Sequence, residues 1–232
     1  MSNCIVNADD LGMTPGTNKA IFDGHDNGYI NSTSIMTNCD YFNEAIHGLK
    51  ARKDLKVGIH LNLTYGKSLS GSFMLGNQYG FFNLSYLQIL YKSIVSKSFL
   101  AEVEDEFELQ IQKAIHNKID ISHLDSHRHV HLIPSLYKIV YRLSLKYSIS
   151  RVRLVNENIF HSLNLTKKLD FFSNGGLLKY LLLRFFTCIN KIHGDKYKSI
   201  SFYSILYTGI IESSSLLKLI KSDTVYEIVV HP

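Results

Sequence analysis

Two acidic residues, Asp9 and Asp10, directly follow a short apolar segment, Cys4–Ala8, and precede Gly12. Adjacent carboxylates in such a place can bind a divalent cation or accept a proton from water. The same sequence is also common in turns and at helix caps, where an aspartate accepts hydrogen bonds from the backbone. The pair alone therefore supports a catalytic and a structural interpretation about equally.

Histidines form the second candidate group. His60 lies within the apolar segment Val57–Leu63, where a polar ring is either functional or hydrogen-bonded inside the core. Downstream, five polar residues alternate with others along one run, namely His123, Asp125, His127, His129 and His131. In an extended segment, this spacing directs all of them towards one face.

The histidine-rich run is too long for all its members to bind one ion. An extended run of this length spans roughly 26 Å, whereas metal–nitrogen bonds are about 2 Å long. We therefore expect one or two members to be ligands. The others would be substrate contacts, partners that orient the ligands, or structural residues. A solvated histidine-rich loop is the alternative.

Two more residues could take part in chemistry. His231 stands at the carboxyl end of the apolar segment Val225–Val230, where it could donate a proton. Arg153, within Arg151–Val155, could orient an acidic group or a substrate. A structural ion pair explains this arginine equally well.

The elements that position these residues alternate between short β-rich runs and longer segments of helical period, which indicates a parallel sheet or barrel with helical crossovers. The predicted strands are Cys4–Ala8, Thr33–Thr37, Val57–Leu63, Ile119–Leu124, Arg151–Val155, Ile200–Ser204 and Val225–Val230. The predicted helices are Thr17–Asn27, Tyr41–Arg52, Leu100–Asn117, Pro134–Tyr147, Gly176–Asn190 and Ser213–Lys221, and 66–80 is predicted to be a long loop.

This arrangement brings the acidic pair, His60 and the histidine-rich run to one face of the barrel, at the carboxyl ends of the strands. Two imidazoles and a carboxylate form a mixed nitrogen and oxygen set that suits a divalent ion with an open position for water. Such an ion activates the water and polarises a carbonyl. The residues therefore predict a metal-dependent hydrolase.

Composition excludes several other classes. The formal charge is +5, but the lysines and arginines are scattered, which disfavours nucleic-acid binding. Cys4, Cys39 and Cys188 lie far apart and form no Cys-x-x-Cys pair, which disfavours a disulfide framework or a structural zinc site.

The chain also shows no segment typical of export or of a membrane span. The N-terminus has no basic region before an apolar stretch, so we expect a cytoplasmic protein. The most apolar segment, Leu177–Ile189, is shorter than the roughly 20 residues that a membrane span needs. No Gly/Ser linker divides the chain, and we predict a single domain over residues 1–232.

Four motifs resemble the YdjC-like carbohydrate deacetylases, the family that includes chitooligosaccharide deacetylase and hopanoid-biosynthesis deacetylases. They are Val-Asn-Ala-Asp-Asp-Leu-Gly (6–12), Gly-Ile-His-Leu-Asn-Leu-Thr (58–64), His-Leu-Asp-Ser-His-Arg-His-Val-His (123–131) and Val-Val-His-Pro (229–232). Their order and spacing make the resemblance specific, although the middle helices match only in general character.

The resemblance implies a deformed TIM-like (β/α) barrel that removes an acetyl group from an N-acetylated sugar. It implies a metal bound by Asp10, His60 and His127, with Asp9 as the catalytic base and His231 as the acid. We expect Mg²⁺, with Zn²⁺ or Co²⁺ as alternatives. We assign Asp125, His129 and Arg153 to substrate binding.

One departure concerns the end of the chain, because family members usually continue well beyond the His-Pro motif. We therefore expect the barrel to lack its C-terminal closing elements, and an open barrel predicts low stability or a homodimer. Two other functions stay open: a metallophosphoesterase, and a truncated, inactive protein that binds sugar or metal.

Overall fold

The computed structural model describes residues 4–160, 176–191, 200–203, 205 and 226–232. Its strands are β1 (Cys4–Leu11), β2 (Ser32–Ile35), β3 (Lys56–Leu61), β4 (Ile121–Ser126), β5 (Ser201–Tyr203) and β6 (Tyr226–Val230). They form one sheet in the order β4-β3-β2-β1-β6-β5, and every neighbouring pair is parallel. The predicted α/β class with parallel strands is confirmed.

Helices connect the strands, as parallel pairing requires. They are α1 (Pro15–Asp26), α2 (Phe42–Leu49), α3 (Tyr86–Val95), α4 (Lys97–His116), α5 (Pro134–Lys146) and α6 (Gly176–Lys191). Five of them match predicted helices to within a few residues at each end. The predicted helix Ser213–Lys221 lies outside the described residues.

The sheet curls so that one segment contacts both of its edges. Arg153 N donates to Leu124 O on β4 at 2.9 Å. On the other edge, Phe202 N in β5 donates to Asn156 O at 3.3 Å. The predicted strand Arg151–Val155 is present only as a bridge between Val152 and Leu124. The segment nevertheless lies where a closing strand would run.

The sequence prediction missed α3, since it assigned no element to the residues between the predicted loop 66–80 and the predicted helix Leu100–Asn117. A signal for this helix exists: Ser85 and Gln88 form a reciprocal capping box at its start. By contrast, α4 was predicted, and its buried residues Val103, Phe107 and Ile111 recur at the spacing of one helix face. Among the described helices, none is both long and apolar enough to cross a bilayer.

Candidate active site

A bulge at the end of β1 turns both members of the acidic pair towards the same point. Neighbouring residues of a regular strand face opposite sides of the sheet. Here the register with β2 shifts between Ala8 and Leu11, and Asp10 adopts φ 71°, a conformation that L residues rarely take. As a result, His60 Nε2 lies 3.3 Å from Asp10 Oδ1 and 3.9 Å from Asp9 Oδ2.

His60 is oriented from behind by Asp125 on the neighbouring strand, β4. The imidazole Nδ1–H donates to Asp125 Oδ1 at 2.8 Å, so Nε2 is the nitrogen that faces the acidic pair. Asp125 is itself fixed by the Ser34 hydroxyl, which donates to its Oδ2 at 2.6 Å. A carboxylate that holds a histidine in this way is the usual support of a metal ligand.

The third member, His127, lies just beyond β4 at the start of a 3-10 turn, His127–Leu132. Its Nδ1 lies 3.1 Å from Asp10 Oδ1. The predicted extended conformation of the run is therefore wrong beyond Ser126, because Arg128 and His129 take left-handed backbone angles of φ 55° and 56°. This turn separates His127, His129 and His131 into different environments.

Asp10, His60 and His127 offer one oxygen and two nitrogens that could hold a cation. Bonds of about 2.1 Å at tetrahedral or octahedral angles place ligand atoms roughly 3.0–3.4 Å apart. The separations of 3.1 and 3.3 Å from Asp10 Oδ1 fall in that range. The donor set and its spacing therefore fit the metal that the resemblance implies.

Arg153 lies at the centre of a buried ion-pair network behind this triad. Its Nη1 and Nη2 each donate to an Asp9 oxygen at 2.9 Å. Nη2 also lies 2.7 Å from Asp125 Oδ2, and Nε donates to Glu227 at 2.8 Å. The arginine is only 1% exposed, and Asp125 is fully buried. Their burial favours a role in positioning other groups over the substrate contact assigned from the sequence.

The network has an excess of negative charge. Among the described residues, the four carboxylates of Asp9, Asp10, Asp125 and Glu227 form ion pairs with two guanidinium groups, those of Arg153 and Arg151. These ion pairs by themselves leave two negative charges around the triad when the histidines are neutral. A divalent cation would balance them.

The pKa values of His60 and Asp10 reflect the charged groups around them. Burial alone would lower the pKa of His60, but the charges of Asp125 and Asp9 and a hydrogen bond to Asp10 raise it to about 10. Burial likewise opposes ionisation of Asp10, yet hydrogen bonds to His127 and His60 hold the pKa of this carboxyl well below its usual range. Positive charge is thus stabilised at the point where the ligand atoms meet.

A second group of potential ligands, Asp9, His60 and Asp125, is less suited to a cation. Both oxygens of Asp9 already accept hydrogen bonds from Arg153, and both oxygens of Asp125 are used by His60, Ser34 and Arg153. A guanidinium therefore occupies the place where a second ion would bind. This arrangement disfavours two-metal phosphoesterase chemistry among the described residues.

His129 and His131 are buried and have different partners. His131 Nε2–H donates to the Arg153 carbonyl at 3.0 Å, and its Nδ1 accepts from Ser126 at 2.6 Å, which gives it a structural role. His129 Nδ1 has no hydrogen-bond partner among the described residues. Burial, followed by the positive charges of Lys179 and Arg153, holds the pKa of His129 well below its ordinary value.

His231 lies at the mouth of the site, just after β6. Its Nε2 is 4.0 Å from Asp9 Oδ2, and its side chain is 41% exposed. The alignment of β6 beside β1 causes this proximity, since Ala8 pairs with Val230. The structure thus brings together every residue that the sequence analysis assigned to catalysis or metal binding.

The sequence analysis did not identify Glu227, Asn7 or Tyr65. Glu227 anchors Arg153, and Asn7 Nδ2 donates to Asp9 Oδ1 at 2.8 Å. A buried glutamate in the apolar strand β6 was an available signal, because such a residue needs a charged partner. Tyr65 had no comparable signal, and its ring lies 6.4 Å from that of His127.

Comparison with known proteins agrees with this geometry. A family model described as YdjC-like protein matches residues 3–232. The chain belongs to the YdjC-like family. Similar YdjC-like relatives include a carbohydrate deacetylase of Halalkalibacterium halodurans, 37% identical over 146 residues. Another is a carbohydrate deacetylase of Clostridium beijerinckii, 29% identical over 184 residues.

These alignments cover 62% and 77% of this YdjC-like chain and 61% and 72% of the two relatives. The chain therefore spans about three fifths of the length of the first relative. A solved structure, a proposed cellobiose-phosphate cleavage protein from Enterococcus faecalis V583, superimposes with a TM-score of 0.70 at 22% identity. The superposition covers 99% of this chain and 80% of the Enterococcus faecalis chain, and it supports the fold.

Proposed function

We propose that this chain is a metal-dependent hydrolase that removes the acetyl group from an N-acetylated sugar. The observation that carries the proposal is the convergence of Asp10, His60 and His127 on one point, with Asp9 Oδ2 facing it. Membership of the YdjC-like family and the names of its relatives support the substrate class.

In this proposal, Asp10, His60 and His127 hold a divalent ion. When bound, the ion lowers the pKa of a water and polarises the acetyl carbonyl. Mg²⁺ is the ion that we expected from the resemblance. The two imidazole nitrogens also suit Zn²⁺ and Co²⁺, and all three ions belong in the assay.

Asp9 acts as the general base through Oδ2. Oδ1 accepts hydrogen bonds from both Asn7 and Arg153, whereas Oδ2, among the described residues, accepts from Arg153 alone and lies towards His60 and His231. The bidentate arginine fixes the carboxylate in one orientation, which keeps the base aimed at the water.

His231 acts as the general acid, since it lies on the open side of the same carboxylate. A proton on its imidazole would pass to the departing sugar amine as the amide bond breaks. His129, whose Nδ1 has no hydrogen-bond partner among the described residues, is kept in this proposal as a substrate contact.

The test is acetate release from a panel of N-acetylated sugars with Mg²⁺, Zn²⁺ or Co²⁺ added separately. We expect Asp9→Asn to reduce kcat by about 100-fold or more, because the base is removed. His127→Ala should abolish metal-dependent turnover, whereas the exposed His116→Ala should match the native protein. Absence of metal-dependent acetate release from every sugar would overturn the proposal and favour an inactive binding protein.

A further inference from the structure

The loop that follows β3 lies at the surface, yet buried polar side chains of α4 hold it. Gln110 exchanges two hydrogen bonds with the backbone of Asn62, at 2.9 and 2.8 Å. The carboxylate of Glu106 accepts from Leu69 N at 3.1 Å and from Ser70 N at 2.8 Å. Buried polar groups are costly unless fully bonded, so this network fixes the loop in one position.

Tyr65 lies in the middle of this anchored segment. Its N–H donates to Asn62 Oδ1 at 3.1 Å, and its carbonyl accepts from Asn62 Nδ2 at 2.5 Å and from Asn38 Nδ2 at 2.9 Å. Both asparagines are buried. The backbone of Tyr65 is therefore held on both sides of its Cα atom.

The ring of Tyr65, in contrast, extends from this rigid backbone to the rim of the site. The residue is 41% exposed, and its ring centroid lies 6.4 Å from that of His127 with an interplanar angle of 52°. Exposure alone does not distinguish Tyr65 from the other aromatic residues of this loop, because Phe73 and Tyr79 are more exposed. The combination of an anchored backbone and proximity to a proposed ligand is what sets Tyr65 apart.

We propose that Tyr65 forms a sugar-stacking site beside the Asp10, His60 and His127 triad. A pyranose ring has an apolar face of C–H bonds that can pack on an aromatic ring while its hydroxyls stay hydrated. Stacked there, the ring that carries the acetamido group would lie next to the triad. This inference rests on the proposed function and names the part of the site that recognises the sugar.

The role predicts a specific kinetic effect. The C–H face of the sugar ring does not change as the amide bond breaks, so stacking stabilises the bound sugar and the transition state equally, and its loss raises KM and leaves kcat unchanged. We expect Tyr65→Ala to raise KM about tenfold, and Tyr65→Phe, which keeps the ring, to stay within about twofold. Tyr79→Ala is the matched control, since it removes an exposed tyrosine of the same loop.

The experiment measures KM and kcat for these variants on the N-acetylated sugar that the native protein cleaves fastest. Equal thermal unfolding and equal bound metal show that each variant is folded and loaded. The proposal is overturned if Tyr65→Ala leaves KM unchanged, if it lowers kcat as strongly as it raises KM, or if Tyr65→Phe is as impaired as Tyr65→Ala.

A second readout is independent of turnover. Calorimetric titration with di-N-acetylchitobiose, on proteins that also carry Asp9→Asn, should show binding that weakens about tenfold in Tyr65→Ala. Sugar binding that is insensitive to Tyr65, or that is absent from the Asp9→Asn protein, contradicts the stacking site. Missing acetate release together with Tyr65-dependent sugar binding instead refutes the hydrolase and retains the stacking site.

Discussion

The two ends of the parallel sheet differ in where their charged side chains lie, buried at one end and exposed at the other. At the carboxyl ends of the strands, Asp9, Asp125, Glu227 and Arg153 are all buried and bonded to one another. At the amino ends, a cavity of about 440 Å³ has apolar residues such as Leu49, Leu55 and Ile119 in its lining. It also has a lysine rim, and these four lysines are exposed: Lys50, Lys53, Lys56 and Lys118.

This difference indicates where the fold depends on charge. Buried ionic groups need every partner, because a charge left alone in the interior is highly unfavourable. Exposed lysines near helix ends contribute little to the free energy of unfolding through any one neighbour, since water and salt screen their charges. The carboxyl end is therefore expected to be sensitive to single substitutions, and the amino end tolerant.

The largest expected effect comes from Arg153→Leu. This change leaves Asp9, Asp125 and Glu227 buried without their shared guanidinium, and should lower the free energy of unfolding by about 3–5 kcal/mol in urea denaturation. Arg52→Leu is the matched substitution at the amino end, where the side chain of the Asp26 partner is 48% exposed. It should lower stability by only about 1 kcal/mol. Equal losses for the two variants would contradict the comparison.

Protonation of His131 is expected to lower the free energy of unfolding by about 3 kcal/mol at acidic pH. Burial lowers the pKa of His131 to about 4, against an ordinary 6.5. Between these values the unfolded chain binds the proton and the folded chain does not, so stability is lost as pH falls from 6.5 towards 4. Urea denaturation at pH 7 and 4.5 should show a smaller pH dependence in His131→Gln. An unchanged dependence would show that His131 is not responsible.

Gly58→Ala should cost about 2 kcal/mol. A Cβ atom at Gly58 would lie 2.3 Å from the His123 ring, and that ring is fully buried between the Ser34 and Ser122 hydroxyls. Gly28→Ala is the comparison, since a Cβ there meets no atom within 4 Å and only its φ of 78° resists the change. Thermal unfolding of both variants separates the steric effect from the backbone effect.

The smallest effect is expected from the lysine rim. Lys50→Ala and Lys53→Ala should each change the free energy of unfolding by less than about 0.5 kcal/mol, because both side chains are exposed. Neither should alter acetate release or metal binding. A loss above about 2 kcal/mol from either variant would show that the amino end also depends on specific charges.

The sequence predicted most strands, because short apolar runs such as Cys4–Ala8 and Val225–Val230 are typical of buried strands. It also singled out Asp9, Asp10 and His60, which the structure places close together, since polar residues at the ends or centres of such runs are conspicuous. The segment Arg151–Val155 was overestimated, because a β-rich composition does not guarantee ladder pairing.

What the sequence could not predict depends on distant contacts and on local backbone strain. The pair between Arg153 and Asp9 joins residues 144 positions apart. The left-handed angle of Asp10 has no signature in an Asp-Asp dipeptide. Nothing in the sequence distinguishes Glu106 from the other acidic residues of α4, and only the packed structure shows it bonded to the loop that carries Tyr65.

The central claim is that Asp10, His60 and His127 form a single cation site. Equilibrium titration with Co²⁺, followed by its visible absorption, tests it most directly, because imidazole ligands change the spectrum. We predict one ion for each chain in the native protein, loss of that site in His127→Ala, and native binding in His116→Ala. Native-like Co²⁺ binding and spectrum in His127→Ala, or two bound ions in the native chain, would contradict the account.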